Sequence, residues 1–105
     1  MSVVRCDGSN FAMELEKADS KIVVINFVAE WTPPCKEIAP YFRTLAESDQ
    51  DICCLEVDVD ACEELADKYQ VEAMPTFVFL KLKEKLGSYT GANINKVKEK
   101  LAELK

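Results

Sequence analysis

The run "KIVVINFVA", Lys21 to Ala29, leaves this chain less choice than any other segment. Nearly all of it is β-branched or aromatic, which favours a strand, and its apolar character does not alternate. A strand with one wet face alternates, so a continuous apolar strand must be covered on both faces. Covering both faces takes a layer of helix on each side of a sheet, and the chain therefore reads as α/β.

The neighbouring segments supply those layers. Residues 2 to 6 read as a short strand. "FAMELEKA" at 11 to 18 reads as a helix with Phe11, Leu15 and Ala18 at helical spacing and Ser9 or Asn10 as its cap. From Pro33 to about Ala46, Ile38, Phe42 and Leu45 form a helical stripe that Pro40 should bend. "ICCLEVDV" at 52 to 59 reads as a strand, and "ACEELADKY" as a helix led in by Asp60 as N-cap. "TFVFLKL" and "LGSYTG" read as two strands joined by a charged turn around Lys83 to Lys85. "NINKVKEKLAEL" closes the chain as a helix with Ile94, Val97, Leu101 and Leu104 on one face. The order β α β α β α β β α implies parallel pairing wherever a helix separates two strands, with an antiparallel edge from the late hairpin.

Composition narrows the function. With 105 residues and 49% hydrophobic content, the chain fits a single domain over 1–105. "MSVVRCDGSN" is no secretory leader and no apolar run is long enough to span a bilayer, so a soluble, cytoplasmic protein is expected. A net charge of -6 repels phosphate backbones and acidic lipid, which excludes nucleic acid and membrane as partners. Five cysteines at irregular spacings point to a reducing compartment rather than a disulfide framework. There is no histidine and no CxxC pair. That rules out Cys-His and Ser-His catalysis and argues against a metal or haem centre, so no metal and no cofactor is expected.

"EWTPPCKE", Glu30 to Glu37, follows the central strand and precedes a helix, where open α/β sheets carry their reactive loops. Thr32 suits the N-cap, with its oxygen accepting from the Cys35 N–H, while Pro33 and Pro34 take positions whose N–H groups have no helical partner. Cys35 then sits at a helix start, where the dipole favours a thiolate. Cys53 and Cys54 point to opposite faces of one strand and read as small buried apolar residues. Cys62, on a face with Leu65, Ala66 and Tyr69, reads the same way, and Cys6 carries no signal.

"VVINFVAEW" leading into "PPCK", Pro40, "CLEVDVD", "MPTFVF" around Pro75 and "GAN" at 91 to 93 resemble the thioredoxin family, animal cytosolic type, over almost the whole chain. The resemblance implies the thioredoxin fold, a mixed five-stranded sheet flanked by four helices, with a cis peptide before Pro75. It also implies a groove for protein clients or extended peptides, with Trp31, Pro34, Met74, Pro75, Gly91 and Ala92 as the client-binding residues. The family's WCGPC motif needs two cysteines, one attacking a client disulfide and one resolving the mixed disulfide. Here Thr32 stands in the first position and Pro33 in the glycine position, while Asn26 matches a buried aspartate that helps move a proton. The resemblance places Glu56 close to Asn26, either hydrogen-bonded to the amide or standing in as a base.

Two functions follow from these departures. One is a binding module that keeps the groove without dithiol turnover. The other is a weak single-thiol exchanger in which Cys35 forms a mixed disulfide that glutathione or another thiol releases. A third reading, an active thioredoxin altered at position 32 by engineering, leaves Asn26 and Pro33 unexplained.

Overall fold

The computed structural model describes residues 2–105. Along the chain run β1 (Val4–Cys6), α1 (Phe11–Ala18), β2 (Ile22–Val28), α2 (Pro33–Ser48) and β3 (Ile52–Asp58), then α3 (Glu63–Lys68), β4 (Thr76–Lys81), β5 (Glu84–Thr90) and α4 (Ile94–Leu104). The strands form one mixed sheet in the order β1-β3-β2-β4-β5.

β2 lies at the centre and every one of its residues is buried, as a run that is apolar except for Asn26 requires. Val23, Ile25 and Phe27 face the layer of α1 and α3, where they meet Phe11, Ala18 and Tyr69. Val24 faces the opposite layer with Cys54, Phe77 and Phe79, against Ile38 and Phe42 of α2 and Val97 and Leu101 of α4. Each large apolar side chain buried in this way contributes about 1.5–3 kcal/mol, so the two layers hold the sheet from both sides.

The pairing rule fails at one strand. β1 and β2 both run parallel to β3, but β4 runs antiparallel to β2 although α3 separates it from β3. α3 has six residues, about 9 Å of helix, against about 23 Å for the seven-residue β3. It is too short to carry the chain back along the sheet. The chain therefore re-enters at the end where β3 stops, with Thr76 opposite Phe27.

Three local readings are also corrected. Asn10 occupies the N-cap of α1 without a side-chain bond to the helix, because its Oδ1 accepts from the Asp7 N–H at 2.8 Å. Its Nδ2 meanwhile donates to the Arg5 carbonyl at 3.2 Å. Asp60 does not cap α3, whose N-cap is Cys62. The β4–β5 turn falls at Leu82 and Lys83 rather than at Lys83 to Lys85. Both turn residues have positive φ (50° and 70°), and Lys81 pairs directly with Glu84.

Because Val28 pairs with Asp58, Phe27 with Thr76 and Thr76 with Thr90, four connections emerge at one end of the sheet. They are the 29–32 loop, the 59–62 loop, the 73–75 turn and the 91–93 loop. That end is where the site is built.

Candidate functional site

The loop after β2 turns on Ala29. Its carbonyl accepts from the Thr32 N–H at 3.1 Å and from the Thr32 Oγ1–H at 2.8 Å. Thr32 thus stands at the N-cap of α2 with extended backbone, but its side chain makes no cap bond. The capping expectation is corrected, and donor accounting gives the reason. Of the first four N–H groups of this helix start, that of Thr32 is satisfied by Ala29 and Pro33 and Pro34 have none. Only the Cys35 N–H is left, so a capping oxygen has one candidate partner in place of two, and the hydroxyl donates to the Ala29 carbonyl instead.

Cys35 is 4% exposed, yet it lines an open cavity of about 580 Å³ together with Val28, Trp31, Lys36, Ala39 and Glu56. Trp31 is 69% exposed. Its indole Nε1–H donates to Asp60 Oδ2 at 2.9 Å, which pins the polar edge of the ring. Asp60, read from sequence as a helix cap, is therefore the anchor of the exposed tryptophan. Its own N–H donates to Asp58 Oδ1 at 2.8 Å, tying the 59–62 loop to β3. Pro34 is exposed beside them.

At the same end of the sheet, in the Ala73–Thr76 turn, the Met74–Pro75 peptide is cis, Pro75 is buried and Met74 half-buried. The Pro75 carbonyl accepts from the Gly91 N–H at 3.0 Å, and the hydroxyls of Thr76 and Thr90 are 2.9 Å apart. Those bonds lock the 91–93 loop against the proline turn. Gly91 has φ 143°, and a Cβ there would stand 2.6 Å from the Tyr89 hydroxyl. Any other residue there would have to displace the Tyr89 ring and hold a backbone conformation that side chains disfavour.

Beneath the site Arg5, Glu56, Asn26 and Phe77 lie in one row across β1, β3, β2 and β4. The row places Glu56 beside Asn26 but does not join their side chains. Asn26 is fully buried, and neither its Nδ2 nor its Oδ1 has a hydrogen-bond partner among the described residues. The expected amide–carboxylate bond is corrected: Arg5 Nη1 donates to Glu56 Oε1 at 2.7 Å and draws the carboxylate the other way. Arg5 Nη2 also reaches Glu30 at 2.8 Å and Asp58 at 3.3 Å, so one guanidinium serves three carboxylates.

Arg5 escaped the sequence reading because a lone arginine in a short strand carries no signal until the register is known. No histidine, cysteine or acidic cluster able to hold a metal ion is present among the described residues.

All five cysteines are free. Burial pushes the Cys6 and Cys54 thiols up to about 12, and it raises Cys53 as well. Cys53 is half-buried rather than sealed, packed against the α1-side core, while Cys62 is buried in that same core. Cys35 is thus the one thiol the fold brings to the site.

The thioredoxin family profile matches residues 2–103. Human thioredoxin is 43% identical over 94 residues, covering 90% of either chain. Among solved structures, the germline-specific thioredoxin Deadhead of Drosophila has a TM-score of 0.91 and 38% identity with full coverage of both chains. Schistosoma mansoni thioredoxin has a TM-score of 0.88 and 41% identity over 97% of this chain and 94% of its own. Sequence profile, relatives and architecture agree, and the chain belongs to the thioredoxin family.

Proposed function

We propose that this chain is a thioredoxin-fold module, acting as one domain, that binds extended protein segments beside Trp31 without sustaining dithiol turnover. One observation carries the reading: the site holds a single thiol, that of Cys35, while position 32 presents a hydroxyl donated to the Ala29 carbonyl. A hydroxyl bound in this way, with no base beside it, is not a nucleophile for a disulfide. Cys35 has no neighbouring thiol with which to close an internal disulfide, and Asn26, an amide, takes up no proton at ordinary pH. WTPPC here stands for the family's WCGPC with the attacking cysteine removed.

The recognition surface survives that change. Trp31, Pro34 and the Gly91–Ala92 loop stand at one end of the sheet, where the family resemblance expects a groove, and the Met74 main chain makes no hydrogen bond among the described residues. A free backbone edge beside an exposed aromatic suits an extended peptide. A cytoplasmic setting suits five unpaired cysteines.

A reductase-coupled insulin assay tests the reading. No sustained turnover is expected, and steady reduction of insulin would defeat it.

A second reading has its own support in the cavity that Cys35 lines. In it the Cys35 thiolate attacks one sulfur of a client disulfide, forming a mixed disulfide and releasing the other client sulfur as a thiolate. A second thiol, glutathione for instance, then attacks the client sulfur and returns Cys35 to the thiolate. Mass mapping after exposure to oxidised glutathione separates the two readings. Adducts at Cys35 that vanish in Cys35→Ser favour exchange, and labelling elsewhere or nowhere favours binding alone.

A further inference from the structure

We infer that the segment this groove takes is basic, with a lysine or arginine seated between the exposed face of Trp31 and the carboxylates beside it. The inference rests on the groove reading and adds the chemistry of the occupant. It starts from an imbalance of charge. Arg5 is shared among Glu30, Glu56 and Asp58, and one guanidinium cannot neutralise three carboxylates. A fourth, Asp60, is held only by the neutral indole N–H of Trp31. On the cavity wall Arg5 and Lys36 balance Glu30 and Glu56, and Asp58 and Asp60 beside it leave the cluster net negative.

The tryptophan points the same way. Its hydrogen bond to Asp60 engages the ring edge, and 69% of the residue remains exposed. The π face is therefore free, and a cation over an indole face gains attraction that grows as water is displaced. An occupant carrying a positive group can satisfy the ring and an unshared carboxylate together. A neutral segment would strip water from those carboxylates and return nothing, and an acidic one would add repulsion. The net charge of -6 extends the same preference to longer range, drawing basic segments in and slowing acidic ones.

Trp31 is the only tryptophan in the chain, so its emission reports occupancy directly. The experiment titrates three synthetic peptides that share one apolar, cysteine-free sequence and differ only in carrying lysine, glutamine or glutamate at two flanking positions. Calorimetry repeats each titration. The lysine peptide is expected to bind about tenfold more tightly than the glutamine peptide, with the glutamate peptide weakest. In about 1 M salt, where screening acts within about 3 Å, most of that spread should collapse. Glu30→Gln, at a side chain 72% exposed, should narrow the preference for the lysine peptide over the glutamine peptide. Equal binding of all three peptides would overturn the inference and leave the groove reading intact. Binding by none of them would remove both.

Discussion

The amide of Asn26 is fully buried, and both of its polar atoms lack a partner among the described residues. Each unsatisfied group of this kind costs about 1–3 kcal/mol, because desolvation is not returned as a hydrogen bond. Glu56 stands beside it in the sheet, but Arg5 holds that carboxylate. On the other side Asn26 meets Phe77, which offers no acceptor. Removing the amide should therefore help. Leucine keeps the branching of asparagine and carries no polar atom, so Asn26→Leu is expected to raise stability by about 1–3 kcal/mol. Urea denaturation of the two proteins checks this, with the midpoint moving up. A lower midpoint would mean that the amide is satisfied by a buried water after all.

At the scale of elements, the β4–β5 hairpin works against its own sequence. Its two-residue turn needs left-handed backbone at both central positions, and it places Leu82 and Lys83 there. Neither residue adopts that conformation cheaply, at about 1–2 kcal/mol each. The paired strands and the bulge between Phe79 and Leu80 hold them in place. Replacing the pair by Asn-Gly should stabilise the protein by about 1–3 kcal/mol, read from the unfolding midpoint. The exposed ion pair between Lys83 and Glu16 that would be lost is worth at most about 1 kcal/mol. This hairpin also shows what a sequence discloses. The strand positions were legible because β-branched and aromatic residues cluster there, and β2 announced both covering layers through a non-alternating run that is apolar except for Asn26. The turn was not, since neither residue has the chemistry the turn type prefers. The direction of β4 was equally hidden, because it depends on the length of α3 against that of β3. In the site, Cys35, Trp31 and Pro75 were visible through their residue types and the family pattern. The bonds of Thr32, Asp60 and Arg5 were not. Each of these groups has several acceptors or donors within reach, and only the three-dimensional arrangement chooses among them.

Over the whole molecule, the last helix is joined to the rest, among the described residues, by one apolar stripe and one ion pair. Val97 and Leu101 bury against the sheet, and the Lys105 Nζ donates to Asp49 Oδ2 at 2.6 Å, closing the chain end onto the turn between α2 and β3. The hydrogen bond from Lys105 holds the Asp49 carboxyl below its usual range, helped by the Asp51 N–H. The same bond raises Lys105 above its usual value. Because the folded pKa of Asp49 is depressed, its contribution to stability is present above the unfolded value of about 3.9 and is lost as pH falls through the folded value. For Lys105 the sign is reversed. Its contribution stands below about 10.4 and is lost as pH rises through the folded value. Asp49→Asn keeps an acceptor for the Asp51 N–H and removes the charge, so it isolates the ionic part. Melting temperatures measured from about pH 5 down to about pH 2 should fall less steeply in the variant than in the parent. The difference should shrink in about 1 M salt, since both partners reach the surface. If the acid limbs of the two proteins coincide at low salt, the pair contributes nothing and α4 is held by its apolar face alone.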